Sequence, residues 1–206
     1  MAQKEDILEQ IVEEYLTHEG YFVRHNIKYR PHNFKQTPSD IDVLAVDPRR
    51  SGPSRVMVVN VKSWQGGFDF RYQRKLIDED VEGNNKLGKM RYRELTKPDW
   101  SKAFVDKIRE LTGTDRFTYC LAVTLAKGDR SIWENCKQFR KALRNNPIRV
   151  ITLKEMVDRI MPGITRTPAG TDIGRTLQLL RAAGLSLKSS KPDPTDVEEQ
   201  GENQET

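Results

Sequence analysis

Histidine and cysteine are scarce in this chain of 206 residues, and their scarcity removes several chemistries at once. Cys120 and Cys136 form no Cys-x-x-Cys pair and join no Cys/His cluster, so neither a disulfide nor a zinc site is expected. Cys120 reads instead as a strand residue of the core. His18, His25 and His32 stand singly, which argues against a metal held by imidazoles. There is no run of eighteen apolar residues, and Met1 to Asp6 lack the apolar stretch of a secretory leader. The sequence therefore reads as cytoplasmic, with no membrane association. Gly66-Gly67 is too short to cradle a phosphate, and no nucleotide-binding fingerprint is present. No Ser/His/Asp or Cys/His arrangement stands out for acyl transfer.

Charge is abundant. Charged residues make up 32% of the chain and hydrophobic ones 36%, which implies a modest core under a highly charged surface. The net charge of +5 understates the basicity of the first 187 residues. Residues 188–206 hold two lysines against six carboxylates, a net of −4, so the rest of the chain carries +9. A basic body with an acidic tail suits a polyanionic partner such as nucleic acid; general solubility is the other source of such a surface.

The apolar pattern predicts one α/β domain. Glu5 to His18 reads as an amphipathic helix with Ile7, Leu8, Ile11, Val12, Tyr15 and Leu16 on one face, closed at Gly20. Tyr21–Tyr29, Asp40–Val46 and Arg55–Trp64 read as strands, the last two joined by turn chemistry at Asp47–Pro53, and the three can form an antiparallel meander. The polar stretch Gly66–Pro98 fits no element and suggests an insertion or functional loop. Helices are expected at Asp99–Leu111, Ile132–Arg144 and Lys154–Met161, the last stopped by Pro162, with strands at Phe117–Leu125 and Ile148–Leu153. That alternation implies crossovers and parallel pairing. The domain is expected to span residues 1–165, with a helical extension at 166–187 (its helix Thr171–Leu185) and a disordered acidic tail at 188–206.

Residues two apart in a strand point to the same face. Asp40, Asp42 and Leu44 therefore share a face in one strand, and Val58, Asn60, Lys62 and Trp64 share one in the next. If those strands pair, Asp42, Asn60 and Lys62 meet at one edge of the sheet. A lysine and an aspartate inside apolar strands are costly unless paired or used. Phosphodiester hydrolysis needs hard oxygen ligands for Mg²⁺, an attacking water, and a cation to steady that water or the developing charge. An aspartate, and an oxygen donor two residues before a lysine, supply these. Glu9, at the flank of the first helix's stripe, is placed to add another carboxylate.

Ser39-Asp40-Ile41-Asp42-Val43-Leu44-Ala45, followed eighteen residues after Asp42 by Val58-Val59-Asn60-Val61-Lys62, resembles the PD-(D/E)XK nuclease superfamily. The resemblance is closest to its Holliday-junction-resolvase-like, Mrr-like and nuclease-related-domain branches, and covers roughly residues 5 to 160. It implies a restriction-endonuclease-like mixed sheet, antiparallel in its first strands and parallel later, flanked by helices. It implies further that Asp42 binds metal (Mg²⁺ or Mn²⁺), that Lys62 is the catalytic lysine, and that Glu9 is the helical glutamate. The chain departs from the pattern at Asn60, where the superfamily has glutamate or sometimes glutamine. An amide oxygen still ligates Mg²⁺ but brings no charge, so metal affinity should fall unless Glu9, Asp40 or another carboxylate compensates.

Two functions of different class follow: a metal-dependent DNA endonuclease, or a catalytically inactive nuclease fold that binds nucleic acid or a partner protein. A homodimer is compatible with the first, being frequent in folds that cut both strands. Each residue also has a plainer reading. Asp42 can be a strand-end residue tied up in hydrogen bonds, Lys62 an edge lysine that blocks aggregation, and Glu9 one solvated acid among Glu5, Glu13 and Glu14. Asp40 is a candidate second ligand. Trp64, Phe68, Phe70, Arg71, Tyr72, Arg74 and Lys75 interleave bases with aromatics, as a nucleic-acid-binding segment does and as an ordinary alternating strand does.

Overall fold

The computed structural model describes residues 6–32, 34–35, 37–81, 91–164 and 169–184. Chain order runs α1 (Ile7–His18), β1 (Phe22–Tyr29), β2 (Ser39–Val46), β3 (Val56–Lys62), β4 (Phe68–Asp69), α2 (Phe70–Val81), α3 (Arg93–Thr96) and α4 (Pro98–Thr112). It continues with β5 (Thr118–Val123), β6 (Ala126–Lys127), α5 (Ser131–Glu134), α6 (Lys137–Ala142), β7 (Ile148–Thr152), α7 (Leu153–Gly163) and α8 (Asp172–Ala182). Five strands form one sheet in the order β1-β2-β3-β5-β7; β4 and β6 form a small parallel pair. β1, β2 and β3 run antiparallel, and β3, β5 and β7 parallel. The mixed α/β sheet expected from the sequence is present, and no helix among the described residues is long and apolar enough to cross a membrane.

Both faces of the sheet are covered, which is why its central strands read as nearly continuous valine, leucine and alanine. On one face α1, α7 and α8 bury Leu8, Val12, Leu16, Met156, Ile160 and Leu177 against Val43, Ala45, Val59, Cys120 and Ala122. On the other, α2 to α6 bury an aromatic-rich core that includes Phe70, Trp100, Phe104, Trp133 and Phe139 against Tyr29, Val58, Tyr119 and Leu121. Burial pushes the Cys120 thiol up to about 12, so this cysteine is inert core.

Several local expectations need correction. Ile7 opens α1 64% exposed, because a stripe sets the direction of a side chain but does not by itself supply a core beneath the helix start. The helix expected over 132–144 is two, α5 and α6, broken where Cys136 turns extended. Trp133 and Phe139, six positions apart, would lie roughly 120° apart on one helix, and the break lets both reach the core. Pro162 sits inside the last turn of α7 instead of stopping it, where its missing N–H costs a single bond. The stretch from Gly66 holds β4, α2 and α3, so the bases and aromatics at 70–75 lie on a helix and not a strand. The acidic tail 188–206 lies outside the described residues.

Candidate active site

The site forms where the ladder between β2 and β3 stops. Register runs from Val46↔Val56 to Val43↔Val59; one more step would set Asp42 opposite Asn60, but the strands part there. β3 stays paired to β5 through Lys62↔Val123, and β2 to β1 through Ser39↔Tyr29. The opening leaves the Val61 backbone N–H without a strand partner, and it donates to Asp42 Oδ2 at 2.6 Å. A side chain thus completes the edge of a broken ladder.

Asp40, Asp42, Asn60, Lys62 and Trp64 line one cavity of about 380 Å³ over that opening, and Tyr92, Arg93 and Glu94 form its other wall. Burial raises the Asp42 carboxyl above its ordinary value; Lys62 and the Val61 amide pull it back, while Asp40 and Asp6 push it further. The Lys62 ammonium donates to the Val61 carbonyl at 3.0 Å and lies 5.7 Å from the centre of the Tyr92 ring. Asn60 Oδ1 and the Tyr92 hydroxyl are buried with no hydrogen-bond partner among the described residues. Unmet polar capacity of this kind is expensive in a core and reasonable in a ligand site.

Asp40 faces Lys28 across the β1–β2 ladder and is ion-paired to it. Glu9 occupies the first turn of α1 and is not among the residues lining the cavity. The acid that α1 brings nearer is its cap: Asp6 accepts the Leu8 N–H with one oxygen and the Ser63 hydroxyl with the other, which staples the helix start to the end of β3. Among the described residues no three His, Cys, Asp or Glu side chains converge as a metal cage.

Trp64 stands at the rim, 42% exposed, stacked on the buried Phe68 at 5.6 Å and 13°. The turn that places it ends at Gly67, whose N–H donates to the Trp64 carbonyl at 2.9 Å. Gly67 has φ +79, and a Cβ there would sit 3.0 Å from the Leu125 carbonyl oxygen. Phe68 joins Phe70, Tyr92 and Trp133 in one aromatic cluster, so the rim tryptophan and the tyrosine of the far wall rest on the same core.

The α2 candidates divide. Arg71, Tyr72 and Lys75 are exposed. Arg74 is spent on packing: it pairs with Asp78 at 2.8 Å, donates to Cys136 Sγ and Gln138 Oε1, and lies over the Phe139 ring.

Glu94 is the functional candidate that sequence reasoning missed. It is 3% exposed and lines the cavity opposite Lys62. Tyr119 donates to its Oε1 at 2.8 Å and Tyr29 to its Oε2 at 3.4 Å. Tyr92, two residues earlier, holds a left-handed backbone at φ 49, a conformation costing a bulky residue roughly 1 kcal/mol. A lone acid in a four-residue helix carries no signal in the sequence.

The model of the nuclease-related domain family matches residues 4–110, which include β1 to β3, α3 and every residue of the cavity. No curated protein and no solved structure matches the chain.

Proposed function

The chain belongs to the nuclease-related domain family, and on that premise we propose that it is a divalent-metal-dependent endonuclease acting on DNA. The reading is carried by one observation: Asp42, Asn60 and Lys62 line a single cavity at the parted ends of β2 and β3. The donor set fits Mg²⁺ or Mn²⁺ of the open kind, in which one or two protein oxygens share the ion with waters and substrate phosphate. Asp42 offers a carboxylate that burial leaves under-compensated, and Asn60 a buried amide oxygen with no partner among the described residues. When bound, the ion supplies charge neutralisation at the phosphate and a more acidic water.

The rest of the work falls to the chain. Lys62, on the same face as Asn60, would swing from the Val61 carbonyl to hold the attacking water or the charge growing on phosphorus. Asp40 is a weaker candidate ligand because Lys28 already occupies it. Glu9 acts at most from outside the cavity. Trp64, with Arg71, Tyr72 and Lys75 on the exposed side of α2, would take the strand beyond the cut, by stacking and by phosphate neutralisation.

Asn60 also favours a second reading, a fold that has kept binding and lost cleavage, since its amide withholds the charge that the motif glutamate brings. A cleavage panel of duplex, branched and single-stranded DNA and RNA with Mg²⁺ or Mn²⁺ separates the two. Metal-dependent cutting that Lys62→Ala abolishes supports the enzyme. Binding without cutting by either protein supports the binding module.

A further inference from the structure

Glu94 has no place in the motif, yet its situation calls for a reason. Desolvating a carboxylate costs several kcal/mol, and such groups are normally kept only beside a cation. Its hydrogen-bond donors here are neutral, two tyrosine hydroxyls and its own backbone N–H, and among the described residues no cation forms an ion pair with it. Tyr29 is on β1 and Tyr119 on β5, the strands flanking β2 and β3. A carboxylate gripped by both tyrosines therefore hangs over the two strands that carry Asp42, Asn60 and Lys62. All four residues line the same cavity. The Ser101 hydroxyl, donating to the Glu94 carbonyl at 2.8 Å, fixes the backbone from the other side.

The charges felt at Glu94 agree with that placement: apart from the burial that raises its carboxyl, Lys62 acts to lower it and Asp42 to raise it. Two of the cavity's residues also carry polar atoms with no partner among the described residues, Asn60 Oδ1 and the Tyr92 hydroxyl. A hydrated cation would satisfy those atoms while relieving the two carboxylates that line the same cavity.

We infer that Glu94 supplies, from α3 across the cleft, the second anionic charge of this site, and that it acts as a positioning residue for Lys62 and for the water shell of the bound divalent cation. The inference rests on the nuclease reading above and deepens it. The charge that Asn60 withholds from β3 is restored from the opposite wall of the cavity, with Tyr29 and Tyr119 fixing the carboxylate. Each of its oxygens keeps a lone pair for a metal-bound water. A purely structural role, tying α3 to the sheet through the tyrosines, is the competing explanation, and the neutral isostere distinguishes them.

The test uses the full chain and Mn²⁺ alone, with thermal melting as the readout, on the natural protein, Glu94→Gln, Tyr119→Phe and Asp42→Asn. Glutamine keeps the size of the side chain and can still accept from Tyr119. The expected result is that Glu94→Gln melts no lower than the natural protein without metal, while its Mn²⁺ midpoint rises about 10-fold or more, the range for loss of an outer-shell partner. Tyr119→Phe, which keeps the carboxylate but frees Oε1, should raise the midpoint by less, and it carries the test if the glutamine variant does not fold. Suppose Glu94→Gln melts lower but keeps its midpoint within about twofold, short of that outer-shell range, while Asp42→Asn loses the metal response. Then Glu94 is structural and only this inference falls. If Mn²⁺ stabilises neither the natural protein nor any variant, or stabilises Asp42→Asn as well, the metal site itself is wrong and both readings fall together.

Discussion

At the scale of single residues, Asp42 within β2 and Asp47 just after it have carboxyls shifted in opposite directions. Asp42 has its folded value raised, chiefly by burial, so its protonated form is favoured in the fold. Its contribution is fully present below the unfolded value and is lost as pH rises through the folded one. Asp47, at the turn after β2, is held well below its usual range by hydrogen bonds from Arg49 and Arg50, and its contribution is present above the unfolded value and lost on acidification. Asp42→Asn should therefore raise the metal-free melting temperature at neutral pH, flatten the profile just above the ordinary aspartate value of 3.8, and abolish the response to Mn²⁺. A melting temperature that falls on this substitution would mean that Asp42 is structural. Asn60→Glu is the complementary change. It brings a second carboxylate beside Asp42, which should lower metal-free stability and enlarge the stabilisation by Mg²⁺ or Mn²⁺. Melting curves with and without metal decide it; a variant indifferent to metal would show that position 60 does not reach the ion.

At the scale of elements, α2 has a packed side and an exposed side, and substitutions should sort by side. Arg74→Ala should cost about 1 kcal/mol or more of stability through lost packing on Phe139, Cys136 and Asp78, with DNA affinity little changed. Arg71→Ala and Lys75→Ala should do the reverse, and Trp64→Ala should weaken single-strand binding by about 1–3 kcal/mol. Paired denaturation and binding measurements check this, and an Arg74 variant that loses binding at full stability would reverse the assignment. The five strands of the main sheet were legible because each alternates or runs apolar between clear turn residues. α2 was not, because among its described residues Phe70 and Ile77 are the fully buried apolar ones and Gln73, buried between them, reads as surface. Asp42, Asn60 and Lys62 could be found because period two aligns them within strands that pair through a short turn. Glu94 could not, because its place depends on two tyrosines from strands 65 and 25 residues away.

At the scale of the whole molecule, residues 1–187 carry +9 while the last nineteen carry −4. Binding to DNA should be strongly salt-dependent and should persist without metal. The log–log slope should reach several units, since each neutralised phosphate adds about 0.9. Titrations across salt concentrations measure it directly, and a flat profile would remove nucleic acid as the natural partner. Removing residues 188–206 should tighten binding at low salt if the tail screens the basic body, and leave it unchanged if it does not. Where charge lies along the chain is plain in the sequence; where it gathers in space is not, and Arg74 illustrates why, since a base counted toward the surface is absorbed into packing.

The parted ladder gives the site its own spectroscopic witness. The Val61 amide proton answers not to a neighbouring strand but to Asp42 Oδ2, at a short 2.6 Å. Its nitrogen and proton resonances should therefore follow the state of that carboxylate, shifting as Asp42 takes up a proton and again as a cation draws on the same oxygen. Amides deeper in the ladder, such as Val59, should stay still. One resonance, followed through a titration of pH and then of Mg²⁺, would read the ionisation and the occupancy of the site before any substrate is known.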